Sequence, residues 1–150
     1  MITTTTTPRY FTWAEANALV PRVNDIFGVV AQLRPQLRTT YDKLDRLGAP
    51  PGGAEPKAPV SPEVARLRAL FQGLYEAMTE QLREVEELGA MVKDVDRGLI
   101  DFLYKRDGRE VLLCWHYGES EIGFWHDLET GFGGRRPIED RDRRGGRVLH

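Results

Sequence analysis

Apolar residues recur in steps of three and four along two long stretches of this chain and in alternation along a third. The first set runs Val23, Ile26, Phe27, Val30, Leu33, Leu37, Tyr41, Leu44 and Leu47, and the second Val64, Leu67, Leu70, Phe71, Leu74, Met78, Leu82, Val85 and Leu88. That spacing places each set on one face of an α-helix. At 1.5 Å per residue each helix would be about 40 Å long, and the short connection between them predicts antiparallel neighbours. Thr12 followed by Glu15 reads as a capping box opening a short first helix. Pro21, about two turns later, predicts a kink or a restart. Pro35 should bend the second helix at a cost of about 3 kcal/mol, but the apolar stripe continues through it. Ser61-Pro62-Glu63 is a helix start and Gly89 a C-terminal cap.

After Gly89 the period changes to two. Met91 to Val95, Leu99 to Tyr104, Val111 to Tyr117 and Ile122 to Asp127 read as strands. Asp96 to Gly98, Asp107-Gly108 and Gly118 to Ser120 supply the turns. The expected fold is α+β: a short helix and a long antiparallel helical hairpin over 12–89, then an antiparallel β-meander of three to four strands over 90–138. Residues 48–60, rich in Pro and Gly, form the connector. Residues 10–138 make one domain, with a mobile threonine-rich arm at 1–9 and a mobile charged tail at 139–150.

Composition narrows the classes. The 150 residues carry a formal net charge of −2, which gives no global electrostatic reason to bind nucleic acid or an anionic membrane. No apolar run approaches the roughly 20 residues needed to span a bilayer. The N-terminus has none of the features of a signal peptide, and one cysteine cannot form an internal disulfide. A cytoplasmic protein is expected. A 150-residue globule has a radius of gyration of about 15 Å, so the β region cannot cover hairpin helices of this length. The uncovered stripe predicts a homodimer or a protein partner.

The chemistry concentrates in VLLCWHYGESEIGFWHD, Val111 to Asp127, which holds the only cysteine, two of the three histidines and two of the three tryptophans. Its arrangement depends on register. With a three-residue turn, Leu112 faces His126, Cys114 faces Phe124 and His116 faces Ile122, so the cysteine and both histidines share one face. With a two-residue turn, Cys114 faces Trp125 and His116 faces Gly123, next to Glu121, while His126 crosses to the side of Trp115 and Tyr117. The first register makes Cys114, His116 and His126 candidate ligands for a divalent metal such as zinc, with a carboxylate or water completing the shell. The plainer reading is a packed cysteine and packed histidines. Asp94, Asp96 and Asp101 could act as acid, base or hard-metal ligands, or simply as solvated turn residues. In TGFGGRRPI, the glycines could form an anion nest and Arg135 and Arg136 a clamp, although Walker and Rossmann spacings are both missing.

The phrases YFTWAEANALVPRV, ELGAMVKDVDRGLIDF and VLLCWHYGESEIGFWHDLETGFGGRRPI resemble a bacterial family known as domain of unknown function 2203, over Tyr10 to Ile138. The resemblance implies a fold and a residue shortlist, with no activity attached. The shortlist comprises Thr12, Glu15, Ala16 and Asn17; Lys93, Asp94, Gly98, Leu99, Asp101 and Phe102; and Cys114, Trp115, Gly118, Glu119, Trp125, His126, Gly131, Phe132 and Arg135. His116 departs from the family phrase, where a basic residue such as arginine is usual, and this counts against a Cys114–His116–His126 metal triad.

Two functional expectations follow. The preferred one is a dimeric interaction or scaffold protein built on the helical hairpin. The alternative is a small-ligand or metal-binding protein, or an enzyme, with a polar pocket on the meander. There His126 would be the general acid or base, Glu119 or Asp101 would orient its ring, and Asp94, Trp115, Trp125 and Arg135 would bind the ligand. Polar side chains converging in a cleft would favour the pocket; Cys114 and His126 buried apart among apolar residues would favour the scaffold.

Overall fold

The computed structural model describes residues 9–53 and 59–145. The expected arm at 1–8, the middle of the connector at 54–58 and the chain end at 146–150 lie outside the described residues. The chain divides into two compact units, 1–27 together with 83–150, and 28–82.

Helix α1 (Trp13–Ala18) begins at Thr12 with both bonds of the capping box in place. Leu19 interrupts the helix, and α2 (Val20–Arg46) restarts with Pro21 in its first turn, where a missing N–H costs little. Pro35 lies inside α2, which runs on past it. Helix α3 (Pro62–Glu87) is capped by Ser61, whose Oγ accepts from the Val64 amide at 3.2 Å. Gly48 and Gly89, with φ of 74° and 93°, close the two long helices. In the 28–82 unit the ends of the hairpin meet around Leu44, Ala49 and Val64, with Leu67 and Phe71 against them. In the other unit Arg22 of α2 pairs with Glu84 of α3 at 2.7 Å. No described helix is long and apolar enough to cross a membrane.

The sheet has five antiparallel strands in chain order: β1 (Met91–Asp94), β2 (Leu99–Arg106), β3 (Arg109–His116), β4 (Phe124–Asp127) and β5 (Arg136–Pro137). The extra strand is two residues long and ends on a proline at the sheet edge, too short to show alternation. Asp107 and Gly108, with φ of 53° and 79°, make the tight turn between β2 and β3. One sheet face carries Ile100, Phe102, Val111, Leu113 and Trp115, all buried. Phe11 meets Phe102 edge-on at 5.2 Å and Phe27 meets Trp115 at 6.1 Å, closing this core. The opposite face carries Asp101, Cys114 and His126.

The stretch expected to be a mobile tail from 139 is described up to residue 145. It contains α4 (Asp140–Arg143), and Asp142 is buried. The Tyr104 hydroxyl donates to Asp142 at 2.8 Å and the Arg106 guanidinium at 3.0 Å. A charged segment with no apolar periodicity gave no sequence sign of this docking, because its anchor is a polar side chain.

Candidate metal and ligand site

The register of the central strands builds the site. Asp101 of β2 stands opposite Cys114 of β3, and β3 pairs with β4 through Leu112 opposite His126 and Cys114 opposite Phe124. This is the register of the longer turn. Residues directly opposite share a face, and diagonal neighbours lie within side-chain reach. Asp101, Cys114 and His126 therefore converge, each offering a ligand atom within 4.8 Å of the others. All three are buried.

Hydrogen bonding orients the histidine ring. Nδ1 of His126 lies 2.8 Å from the Asp127 carbonyl; a carbonyl can only accept, so Nδ1 carries a proton. Nε2 faces Asp101 Oδ2, 3.1 Å away. A proton carried by either partner, or a metal ion, satisfies that contact. The other carboxylate oxygen, Asp101 Oδ1, is buried with no hydrogen-bond partner among the described residues, a costly arrangement for an acid. Burial raises the Asp101 carboxyl, opposed by His126, Cys114 and Lys93. Burial and the nearby Asp101 push the Cys114 thiol up to about 12. Alone, Cys114 is thus a thiol at neutral pH and a poor nucleophile; a bound divalent ion would reverse this by stabilising the thiolate.

A cleft of about 240 Å³ opens onto the three residues, lined also by Lys93, Leu99, Leu112 and the turn from Leu128 to Phe132. His116 is not part of the cluster. It sits half-buried beyond the end of β4 pairing, its ring edge-on to Phe132 at 5.6 Å, so the structure does not assemble the triad of Cys114, His116 and His126. Glu119 does not orient His126 either. It accepts from the His116 amide and from Arg135, both at 2.7 Å. Arg135 also donates to the Cys114 carbonyl at 3.1 Å and lies over the Phe124 and Phe132 rings. It ties the β3–β4 turn to the sheet rather than lining the cleft. Asp94 caps its own turn, accepting from the Arg97 amide at 3.0 Å.

Trp115 and Trp125 belong to the other face of the sheet. Trp115 donates to the Glu119 carbonyl at 2.9 Å, and Trp125 lies under Arg106 at 4.4 Å. Glu121 is occupied by Arg143 at 3.2 Å. Of the expected site residues the structure brings together Cys114, His126 and Asp101. Sequence reasoning gave Lys93, Leu128 and Glu129 no role and read the glycines from Gly131 as a candidate anion nest; the family phrases included Lys93, Gly131 and Phe132 as recurring positions.

A family model described as an uncharacterized conserved protein, DUF2203, matches residues 9–138. The chain belongs to the DUF2203 family. The match takes in the whole cluster and cleft of this DUF2203 protein and ends just before α4. Neither a curated protein nor a solved structure matches the chain.

Proposed function

We propose that this DUF2203 protein binds a divalent transition metal, of which zinc is the best fit, through Asp101, Cys114 and His126. The observation that carries the reading is the convergence of the three ligand atoms within 4.8 Å, with His126 Nδ1 turned to the Asp127 carbonyl and Nε2 to the Asp101 carboxylate. A backbone carbonyl behind a ligating imidazole is the usual outer support of a metal site. One thiol, one imidazole and one carboxylate suit a borderline-soft ion. Ligand atoms bonded at about 2.0–2.3 Å to one tetrahedral ion lie about 3.3–3.8 Å apart, so the three groups stand near ligand spacing. The convergence of polar side chains in a cleft is the arrangement that favours a site over a plain scaffold.

The test is elemental analysis of tag-free protein purified without chelator and equilibrated with zinc, beside Asp101→Asn, Cys114→Ser and His126→Ala variants checked for folding by circular dichroism. Wild type should carry close to one metal per chain and each variant far less. A folded wild type that stays metal-free sinks the proposal.

A second reading rests on a different observation. In the 28–82 unit, Leu70, Tyr75, Leu47 and Tyr41 remain 51%, 50%, 45% and 41% exposed. Such exposure supports a homodimer, or docking of a protein partner, through the helical hairpin. Sedimentation equilibrium should show a dimer that Leu70→Glu with Tyr75→Glu converts to monomer; a wild type that is monomeric at every concentration removes the homodimer. Cytoplasmic residence, where a lone thiol such as Cys114 stays reduced, is part of the same proposal.

A further inference from the structure

Lys93 is the additional residue created by the register shift in β1, between Val92, which pairs with Ile100, and Asp94, which pairs with Leu99. Met91 stands opposite Asp101, so alternation along β1 turns Met91 and Lys93 to the sheet face that carries Asp101. Lys93 accordingly lines the cleft over Asp101, Cys114 and His126, and its charge reaches Asp101. The remaining walls are largely apolar. Leu99 and Leu112 are buried, whereas Leu128 and Phe132 are 52% and 37% exposed at the mouth. Glu129 faces the same space from the turn.

The charged groups and the size of the cleft bear on what would enter. A thiolate and a carboxylate offset the two charges of a divalent ion, and His126 adds none, so the loaded cluster is neutral. On the lining Lys93 and Glu129 offset each other, and the Lys93 ammonium is the cationic group beside the cluster that a carboxylate can meet. The volume of about 240 Å³, at roughly 30 Å³ per water-sized group, holds about eight heavy atoms.

We propose, building on the metal reading above, that the ion keeps its fourth position open to this cleft and accepts there a small carboxylate with a short apolar tail. The carboxylate lies between the ion and the Lys93 ammonium, and the tail covers Leu112, Leu128 and Phe132. Three protein ligands with one open position is the pattern of zinc sites that engage substrates rather than only hold a fold together.

The experiment uses the full chain loaded with cobalt(II), whose thiolate charge-transfer band reports Cys114 ligation and whose visible bands report coordination. Hexanoate should shift the visible bands saturably, and hexanamide, of the same shape without the charge, should not. Lys93→Gln should weaken hexanoate by about tenfold or more while the thiolate charge-transfer band still forms on cobalt addition. If the charge-transfer band forms but hexanoate leaves the visible bands still, or hexanamide acts equally, the carboxylate inference is overturned and the metal site stands. A shift on Glu129→Gln in that case identifies Glu129 as a fourth ligand closing the shell. If no charge-transfer band forms, the metal reading fails and takes this inference with it.

Discussion

Asp101 occupies an expensive position for a carboxylate. It sits among buried strand residues, one oxygen facing His126 and the other without a partner among the described residues. A structural ion pair would be expected to satisfy both oxygens, since a half-satisfied buried acid costs about 1–3 kcal/mol. An amide at this position can donate to the His126 Nε2 lone pair without burying a charge. Asp101→Asn should therefore leave the metal-free protein as stable as wild type, or more stable by up to about 2 kcal/mol, in urea denaturation with chelator present. If Asp101 instead served only to hold a charged His126, the same change would destabilise by about 3–5 kcal/mol.

Among the elements, α4 shows most clearly how a polar anchor orders a segment. Its Asp142 accepts from the Glu139 amide at 2.9 Å as well as from Tyr104 and Arg106. Burial alone would raise the Asp142 carboxyl, but these donors outweigh it and hold the group below the usual range. A depressed carboxylate contributes stability above its unfolded value of about 3.9, and that contribution is lost as pH falls through the lower folded value. Asp142→Asn should thus cost about 2–4 kcal/mol at neutral pH. The gap between variant and wild type in urea denaturation should close as pH falls below about 4. A gap unchanged into acid would mean that the ionised form is not what holds α4.

At the scale of the molecule, the two units differ in how their apolar residues are used. The unit containing the sheet buries Phe11, Ile100, Phe102, Leu113 and Trp115 completely, whereas in the 28–82 unit Leu67, Phe71, Leu74 and Met78 of α3 are only part-buried. Amide exchange follows local opening, which is easier where few apolar contacts are lost. Amides from Leu67 to Met78 should exchange well before those of Phe102 and Leu113 in dilute protein. If the hairpin dimerises, that difference should narrow as concentration rises. Equal protection in dilute protein would contradict the assignment of a weaker helical unit.

The sequence by itself determined the elements and the cluster's two strongest members. Helix periodicity, the Thr12–Glu15 capping box, the Ser61-Pro62 start and the Asp107-Gly108 turn are local signals, and the local structure follows them because each acts through neighbours a few residues away. Cys114 and His126 were legible as chemistry-bearing residues within one hairpin. Tertiary structure decided which of them meet, because strand register is a property of pairing between distant segments. It set Asp101 opposite Cys114, left His116 beyond the last pair of β4 and turned Arg135 onto Glu119. It placed Lys93 beside the cleft through the pairing of β1 with β2. It also ordered α4 through Asp142, whose partners Tyr104 and Arg106 lie far back in the chain, where no periodicity in the tail could announce them.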